Sequence, residues 1–282
     1  MSFSSDVKEE LSRQYGRSRH CQLAELAGML EMSGRIQEGV PVLDTDNPLL
    51  QEKYGVLMQK AFSVDVTEPL TKTDSERILS ALRLTEDSRR LLVQQTCCKR
   101  AFLRGAFMAS GSISDPNKSY HFEIVARTLQ QAQLLTELMN SFEAEAKIVE
   151  RKNHYVAYVK EGSQIVDMLN VMEAYVSLMN LENVRILKEM RNTVNRKVNC
   201  ETANINKTVS AAVKQIEDIR KIQSRMGFDE LPESLREMAE LRLQYPDATL
   251  KELGEYLDPP VGKSGVNHRL RKLSEIADFH RG

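Results

Sequence analysis

The sequence predicts an α+β N-terminal domain built from two similar halves, followed by an all-α C-terminal domain. Three observations support this fold class. A nine-residue motif occurs twice, helix and strand patterns follow each copy in a similar order, and strand patterns disappear after about residue 174. An internal repeat constrains the fold more strongly than any single element does. Two copies favour a pseudo-symmetric pair of structural units.

The repeated motif reads LAGMLEMSG at residues 26–34 and LRGAFMASG at residues 103–111, so the copies start 77 residues apart (103 − 26). Each copy has a glycine at its third position, apolar residues in its middle and Ser-Gly at its end. We expect each copy to be helical. Because glycine has no side chain, Gly28 and Gly105 are expected to let the two helix backbones approach closely.

Alternating and helical patterns follow both copies. In the first half we predict helices at residues 4–13, 21–33, 47–62 and 75–84, and strands at 39–44 and 63–67. In the second half we predict helices at 97–110, 128–142 and 162–172, and strands at 119–126, 146–150 and 154–159. Together they form an α+β domain with mostly antiparallel strands over residues 1–174, with repeats at about 1–90 and 91–174.

The composition is that of an ordinary globular protein: 282 residues, 41% hydrophobic, 28% charged, net charge −1. No apolar run approaches the ~18 residues of a membrane helix, and no signal sequence opens the chain. We therefore predict a cytoplasmic protein without membrane contact.

The four cysteines, Cys21, Cys97, Cys98 and Cys200, show neither metal-ligand spacing nor a disulfide framework. We expect free thiols, no metal site and no cofactor. The adjacent pair 97–98 suits helix packing better than redox chemistry. His20, His154 and His280 stand apart in the sequence and are assigned to solvent or core positions.

Residues 175–228 are predicted to form a basic helical connector, because strand patterns vanish there and cations dominate. Residues 188–225 contain nine cations and four acids, a net charge of +5. Segment 195–208 has three open interpretations: it contacts phosphates, it binds a protein partner, or its asparagines cap helix ends on either side of a break in the helix. The candidate contact residues are Arg191, Arg196, Lys197, Asn199, Asn204, Asn206 and Lys207.

Residues 229–282 are predicted to form three short helices. The first ends before Pro246, and Thr249 and Glu252 form a capping box at the start of the second. A Pro/Gly-rich turn at residues 258–263 leads to Ser264, which is expected to cap a third helix ending near Ala277. Short helices joined in this way are typical of a helix-turn-helix domain.

Charge supports this assignment, since residues 263–272 contain four cations and no acid. On the third helix, Asn267, His268 and Arg271 share a face that suits base edges in the major groove, and its first residues suit phosphates. A helical hairpin with a solvated basic face is the alternative. The predicted contacts to double-stranded DNA are Thr249, Lys263, Ser264, Gly265, Asn267, His268, Arg269, Arg271 and Lys272.

The two nonapeptides resemble the paired motif of LAGLIDADG homing endonucleases. The whole chain resembles the bacterial WhiA family of sporulation and cell-division regulators, most specifically in NRKVNCETANINKT (195–208) and PPVGKSGVNHRL (259–270). The resemblance implies a homing-endonuclease-like N-terminal domain joined to a C-terminal helix-turn-helix. It also implies a nucleoid-associated transcription regulator with a role in cell division and chromosome segregation, and in sporulation in spore-forming relatives.

One departure from the endonuclease motif bears on catalysis. The nucleases carry a metal-binding acid at the eighth position of each copy, where this chain has Ser33 and Ser110. A hydroxyl does not supply the negative charge that a hard cation requires. Glu31 has Met108 as its counterpart and is assigned a structural role. We predict no enzymatic activity; a residual nuclease, or a scaffold that binds a protein or small ligand, are the alternatives.

Overall fold

The computed structural model describes residues 2–37, 39–82 and 90–279. The chain divides into two compact units, Met1–Glu189 and Met190–Gly282, each with its own hydrophobic core. The end of the predicted helix 75–84 and His280 lie outside the described residues.

The first unit contains both helices and antiparallel strands. Its helices are α1 (Phe3–Ser12), α2 (Arg19–Ser33), α3 (Pro48–Phe62), α4 (Lys72–Leu82), α5 (Thr96–Ser110), α6 (Leu129–Asn140) and α7 (Gly162–Met172). Its strands are β1 (Gly34–Gln37), β2 (Val40–Leu43), β3 (Gly111–Ile113), β4 (Phe122–Ala126), β5 (Lys147–Arg151) and β6 (His154–Val159). The mixed α+β class predicted from sequence is confirmed.

The two motif helices, α2 and α5, form the centre of this unit. A Cβ placed on Gly28 would collide with the carbonyl oxygen of Phe102, and one placed on Gly105 with that of Glu25. Each glycine therefore admits the backbone of the other helix, as the repeated motif predicted. The helices run in the same direction, because residues near their first turns meet, and so do residues near their last turns.

A buried ion network lies beside this seam. The Glu25 carboxylate accepts two hydrogen bonds of 3.0 Å from Arg104, and one of its oxygens lies 2.7 Å from the Lys53 ammonium. Arg104 also reaches Glu173 at 2.6 Å. Burial lowers the pKa of Lys53, opposed by the nearby Glu25 charge. Charges this deep persist only when they are paired, so the network fixes how α2, α3 and α5 pack.

The two halves carry different amounts of sheet. Among the described residues, β3, β4, β6 and β5 form an antiparallel sheet in that order, whereas β1 and β2 form a separate hairpin. The β5–β6 connection turns at Lys152 and Asn153, which both have positive φ, as expected for a two-residue hairpin turn.

One predicted strand, at residues 63–67, is wrong. Ser63 ends α3 in the left-handed conformation, with φ of 57°. The Asp65 carboxylate then accepts hydrogen bonds from the Thr67 backbone at 2.9 Å and hydroxyl at 2.7 Å. The local side-chain turn satisfies the backbone in place of a strand partner.

Helix α8 (Tyr175–Arg225) is one continuous helix of 51 residues. The Glu10 carboxylate accepts from the backbone nitrogens of Val176 and Ser177 at 2.8 and 2.9 Å, satisfying free donors at its start. Because residues 195–208 are helical throughout, the interpretation in which their asparagines cap helix ends across a break is wrong.

In the second unit, the end of α8 packs with three helices: α9 (Glu233–Gln244), α10 (Leu250–Glu255) and α11 (Lys263–Phe279). Ile219 and Ile222 of α8 are buried in the same core as Leu235, Met238 and Leu270. On α11, Val266, Leu270, Leu273 and Ala277 form an apolar stripe, and all four are buried.

Candidate nucleic-acid interface

The turn between α10 and α11 is held against α10. The Val261 backbone nitrogen donates to the Gly254 carbonyl at 2.9 Å. A side chain on Gly254 would collide with the Val261 carbonyl, so only glycine permits this approach. Helix α11 begins at Lys263, and the Gly262 carbonyl accepts from Gly265 and Val266. Ser264 therefore lies in the first turn and does not occupy the cap position.

The predicted capping box at the start of α10 is present. The Glu252 backbone donates to the Thr249 hydroxyl at 3.3 Å, and the Thr249 backbone donates to the Glu252 carboxylate at 2.7 Å. These hydrogen bonds lower the pKa of Glu252 below its ordinary value. Thr249 is exposed and therefore combines a structural role with an accessible hydroxyl.

Six of the nine predicted contact residues form one outward face of α11. They lie in two adjacent rows at four-residue spacing, and every one of them is exposed. The rows are Lys263, Asn267 and Arg271, and Ser264, His268 and Lys272. Three cations and three neutral hydrogen-bonding groups, with no acid among them, make this face suitable for both phosphates and base edges.

Gly265 and Arg269 belong to the neighbouring row, which turns toward the core. Gly265 is half-buried, and a Cβ there would collide with the Val261 side chain. The Arg269 guanidinium donates to the Ser234 carbonyl of α9 at 3.5 Å and lies 3.8 Å from the Glu237 carboxylate. The structure thus gives both residues packing contacts and does not bring them to the outward face.

Arg271 has one neighbour of opposite charge on the outward face. Its Nε lies 3.2 Å from the Glu275 carboxylate one turn later, and its side chain is 79% exposed. An exposed pair of this kind contributes little stability, so the guanidinium is free to exchange Glu275 for a ligand.

The candidate residues on α8 do not share one face. All seven, from Arg191 to Lys207, are exposed. At 3.6 residues per turn, Arg196 lies in line with Lys207 three turns later, whereas Asn199 lies with Asn206 on another side. Lys197 and Asn204 occupy a third side. A single flat ligand therefore contacts only part of this set.

The ends of the two motif helices meet where an endonuclease would hold its metals. The Ser33 hydroxyl donates to the Ala109 carbonyl at 3.4 Å, and the Ser110 hydroxyl donates to the Val125 carbonyl at 2.7 Å. Glu31 is 7% exposed and borders a cavity of about 190 Å³ that Arg35 and Arg127 also line. Two arginines beside one carboxylate disfavour a divalent cation there.

The structure joins four residues that sequence spacing did not connect. The imidazole of His20 and the thiols of Cys21, Cys97 and Cys98 have ligand atoms within 4.8 Å of one another. Burial, followed by the neighbouring Cys97 thiol, raises the pKa of Cys21 to about 12 and also raises that of Cys98. The repeat itself was the sequence signal that could have revealed this cluster. His20 and Cys97 are 77 residues apart, as are Cys21 and Cys98, and the two copies of the motif have the same separation.

None of the helices within residues 2–37, 39–82 and 90–279 combines the length and the apolar character needed to cross a membrane.

Comparisons with known proteins agree with this architecture. The family model described as the WhiA C-terminal HTH domain matches residues 194–277, and the WhiA LAGLIDADG-like domain model matches residues 99–191. The first match includes part of α8 and all of the outward face of α11. The second match includes most of α5 and the whole of its copy of the motif.

Curated relatives and one solved structure match over nearly the whole chain. A "Probable cell division protein WhiA" of Lachnoclostridium phytofermentans is 52% identical, with 99% of both chains covered, and one of Alkaliphilus oremlandii is 48% identical, with 98% and 97% covered. The crystal structure of full-length DUF199/WhiA from Thermatoga maritima superposes with a TM-score of 0.63 at 27% identity, covering 99% of both chains. The chain belongs to the WhiA family, with its LAGLIDADG-like N-terminal and helix-turn-helix C-terminal domains.

Proposed function

We propose that this chain is a non-catalytic DNA-binding regulator of transcription that reads double-stranded DNA with α11. The observation that carries the proposal is the outward face of α11, where two exposed rows present three cations and three neutral hydrogen-bonding groups. The match to the WhiA C-terminal HTH domain supports it independently.

The positions on this face suggest a division of roles. Asn267, His268 and Arg271 reach base edges in the major groove, since their side chains offer the donors and acceptors that distinguish base pairs. Lys263, Ser264 and Lys272 contact phosphates and set the position of the helix on the duplex. Thr249 adds a hydroxyl contact beside the turn, and Gly265 and Arg269 keep α11 in place.

Selection from sheared genomic DNA of the source organism tests the proposal. The full chain should enrich a limited set of fragments, and Arg271→Ala should lose that enrichment. Arg13→Ala is the matched control, since Arg13 is 74% exposed and pairs with a glutamate at four-residue spacing, as Arg271 does. Equal enrichment by wild type and Arg271→Ala would contradict the assigned role of α11.

The relatives named for cell division support a role for this chain in that process. We infer that it acts at the nucleoid on genes or chromosomal sites used in cell division and chromosome segregation, with sporulation as the output in spore-forming relatives. Cells carrying Arg271→Ala should show misplaced septa or unequal nucleoids and a diffuse fluorescent fusion, whereas Arg13→Ala cells should resemble wild type. Normal division in the Arg271→Ala cells would contradict this inference.

We also infer that the N-terminal unit does not cut DNA. Its support is the pair of hydroxyls at Ser33 and Ser110 and the arginines beside Glu31. Purified protein with Mg²⁺ should leave supercoiled plasmid intact over a long incubation. Cleavage that is present in wild type and disappears in Ser33→Ala or Glu31→Ala would establish a residual nuclease instead.

A second candidate function, an interaction scaffold, is favoured by one observation on α8. Five of its apolar side chains are each more than half exposed and recur at four- or seven-residue spacing: Val194, Val198, Ile205, Val209 and Val213. Such a row suits the apolar face of another helix. Deleting residues 229–282 separates the two functions, because a regulator then loses specific DNA binding, whereas a scaffold keeps its partner.

A further inference from the structure

Two helix N-termini bring four metal-ligating side chains together in the first unit. His20 and Cys21 lie in the first turn of α2, and Cys97 and Cys98 lie in the first turn of α5. The His20 Nδ1 atom is 3.1 Å from the Cys98 sulfur and 3.4 Å from the Cys21 sulfur. All four ligand atoms lie within 4.8 Å of one another.

The internal repeat explains why these residues meet. His20 and Cys97 occupy equivalent positions in the two copies, as do Cys21 and Cys98. Since α2 and α5 pack through Gly28 and Gly105, their first turns are held side by side. The cluster thus lies at the opposite end of the helix pair from Ser33 and Ser110.

The donor set selects the class of ion. Three thiols and one imidazole are the ligands of structural zinc sites, whereas Mg²⁺ and Ca²⁺ prefer oxygen donors. With Zn–S bonds of about 2.3 Å, tetrahedral geometry separates ligand atoms by about 3.8 Å, so small side-chain adjustments close the present cluster around an ion.

The surroundings also fit an ion that binds through thiolates. The positive ends of the α2 and α5 helix dipoles favour negative charge at this position, which opposes the burial that raises the pKa of Cys21 and Cys98. Cys98 and Cys21 are buried, whereas His20 and Cys97 are exposed, so one side is anchored in the core and the other is open for an ion to enter.

We propose that His20, Cys21, Cys97 and Cys98 form a tetrahedral Zn²⁺ site that joins the first turns of α2 and α5. On binding, each thiol gives its proton to solvent and a Zn–S bond forms in its place, while His20 binds through a ring nitrogen. One Zn²⁺ enters and three protons leave, so the charge of the site changes by −1. The site is structural and independent of DNA binding at α11.

Titration of the full chain tests stoichiometry and ligands. Protein stripped with a chelator under reducing conditions is titrated with Zn²⁺ against a chromophoric competitor, and with Co²⁺ to observe thiolate charge-transfer and tetrahedral d–d bands. We expect one ion per chain, and at least a tenfold loss of affinity in Cys97→Ser and His20→Ala. Cys200→Ser, at an exposed cysteine outside the cluster, should bind as wild type does. No uptake, or equal uptake by Cys97→Ser, would overturn the proposal.

Thiol alkylation of the wild-type chain gives a second test, and its result does not depend on whether a substituted variant folds. Cys97 and Cys200 are both exposed, so both should react in the metal-free protein. Added Zn²⁺ should slow alkylation of Cys97 and leave Cys200 unchanged, as read by mass spectrometry. Equal Cys97 reactivity with and without Zn²⁺ would contradict the site, as would a Cys21–Cys97 or Cys21–Cys98 disulfide that forms in reductant-free buffer despite saturating Zn²⁺.

Discussion

At the scale of single residues, two glycines decide how closely the halves of the N-terminal unit approach. Gly28 and Gly105 each face a carbonyl oxygen of the opposite helix. The sequence predicted this contact because the glycines repeat at the same motif position within apolar helices. The close approach then brings the Ser33 hydroxyl to the Ala109 carbonyl at one end of the helix pair and the thiols together at the other.

Substituting Gly105 tests the strength of this contact. In Gly105→Ala the added methyl group collides with the Glu25 carbonyl, so the helices must separate. We expect a loss of about 1–3 kcal/mol in the free energy of unfolding, measured by urea denaturation. Gly55→Ala, within α3, is the control, because its methyl group would have only ordinary contact with the Val66 side chain beyond the end of that helix. A loss in Gly55→Ala equal to that in Gly105→Ala would contradict the assignment.

Glu25 supplies a second prediction at this scale. It is fully buried between Lys53 and Arg104, so Glu25→Gln leaves two buried cations without their common counter-charge. We expect a loss of about 3–5 kcal/mol in the free energy of unfolding. Glu173→Gln removes a partner of Arg104 that is 37% exposed, and its effect should be clearly smaller. Denaturation curves of the two variants, compared with wild type, measure the difference; equal effects would contradict the reasoning.

At the scale of elements, local chemistry decided where each prediction succeeded. The helix at 162–172 and the capping box at Thr249 were predicted because their signals lie within a few consecutive residues. Segment 63–67 has strand-like alternation, yet Ser63 and Asp65 form a turn. An alternating pattern predicts that successive side chains point to opposite sides of an extended segment. It does not show that a partner strand is available for pairing.

The cap of α10 gives a prediction at this scale. Thr249→Ala removes the hydroxyl that accepts from the Glu252 backbone, with an expected loss of about 1 kcal/mol in the free energy of unfolding of the second unit. Thr249→Ser keeps the acceptor and should resemble wild type in thermal denaturation followed by circular dichroism. If the serine variant were as unstable as the alanine variant, the hydroxyl would not be the stabilising group.

The same box has a pH dependence. Hydrogen bonds from Thr249 lower the folded-state pKa of Glu252 below its ordinary 4.5. Its contribution to stability is therefore present above about that pH and is lost as the pH falls through the folded pKa. The difference in stability between wild type and Glu252→Gln should shrink in acid, and a difference that is constant across this range would contradict the link.

At the scale of the whole molecule, a net charge of −1 conceals two local concentrations of cations, at residues 188–225 and 263–272. Attraction to DNA therefore depends on where the charges lie and not on their sum. Six to eight phosphate contacts, shared between α11 and α8, would make log K fall with log salt at a slope of about −0.9 per contact.

Lys263→Ala tests this view. Loss of one phosphate contact should weaken binding to all duplexes and reduce the magnitude of the salt slope by about 1, measured by fluorescence anisotropy over a salt series. Lys118→Ala, at an exposed lysine of the N-terminal unit, should leave the slope unchanged. A salt slope unaltered in Lys263→Ala would remove Lys263 from the set of phosphate contacts.

The sequence by itself determined the repeated helices, the helix-turn-helix order and the outward face of α11, because periodicity, caps and turns act over a few residues. Only the tertiary structure decided three other features: the contact of Arg269 with α9, the pairing of Glu25 with Lys53 and Arg104, and the meeting of His20 and Cys21 with Cys97 and Cys98. These partners lie between about thirty and eighty residues apart. Packing of α2 against α3 and α5, and of α11 against α9, brings them within bonding distance.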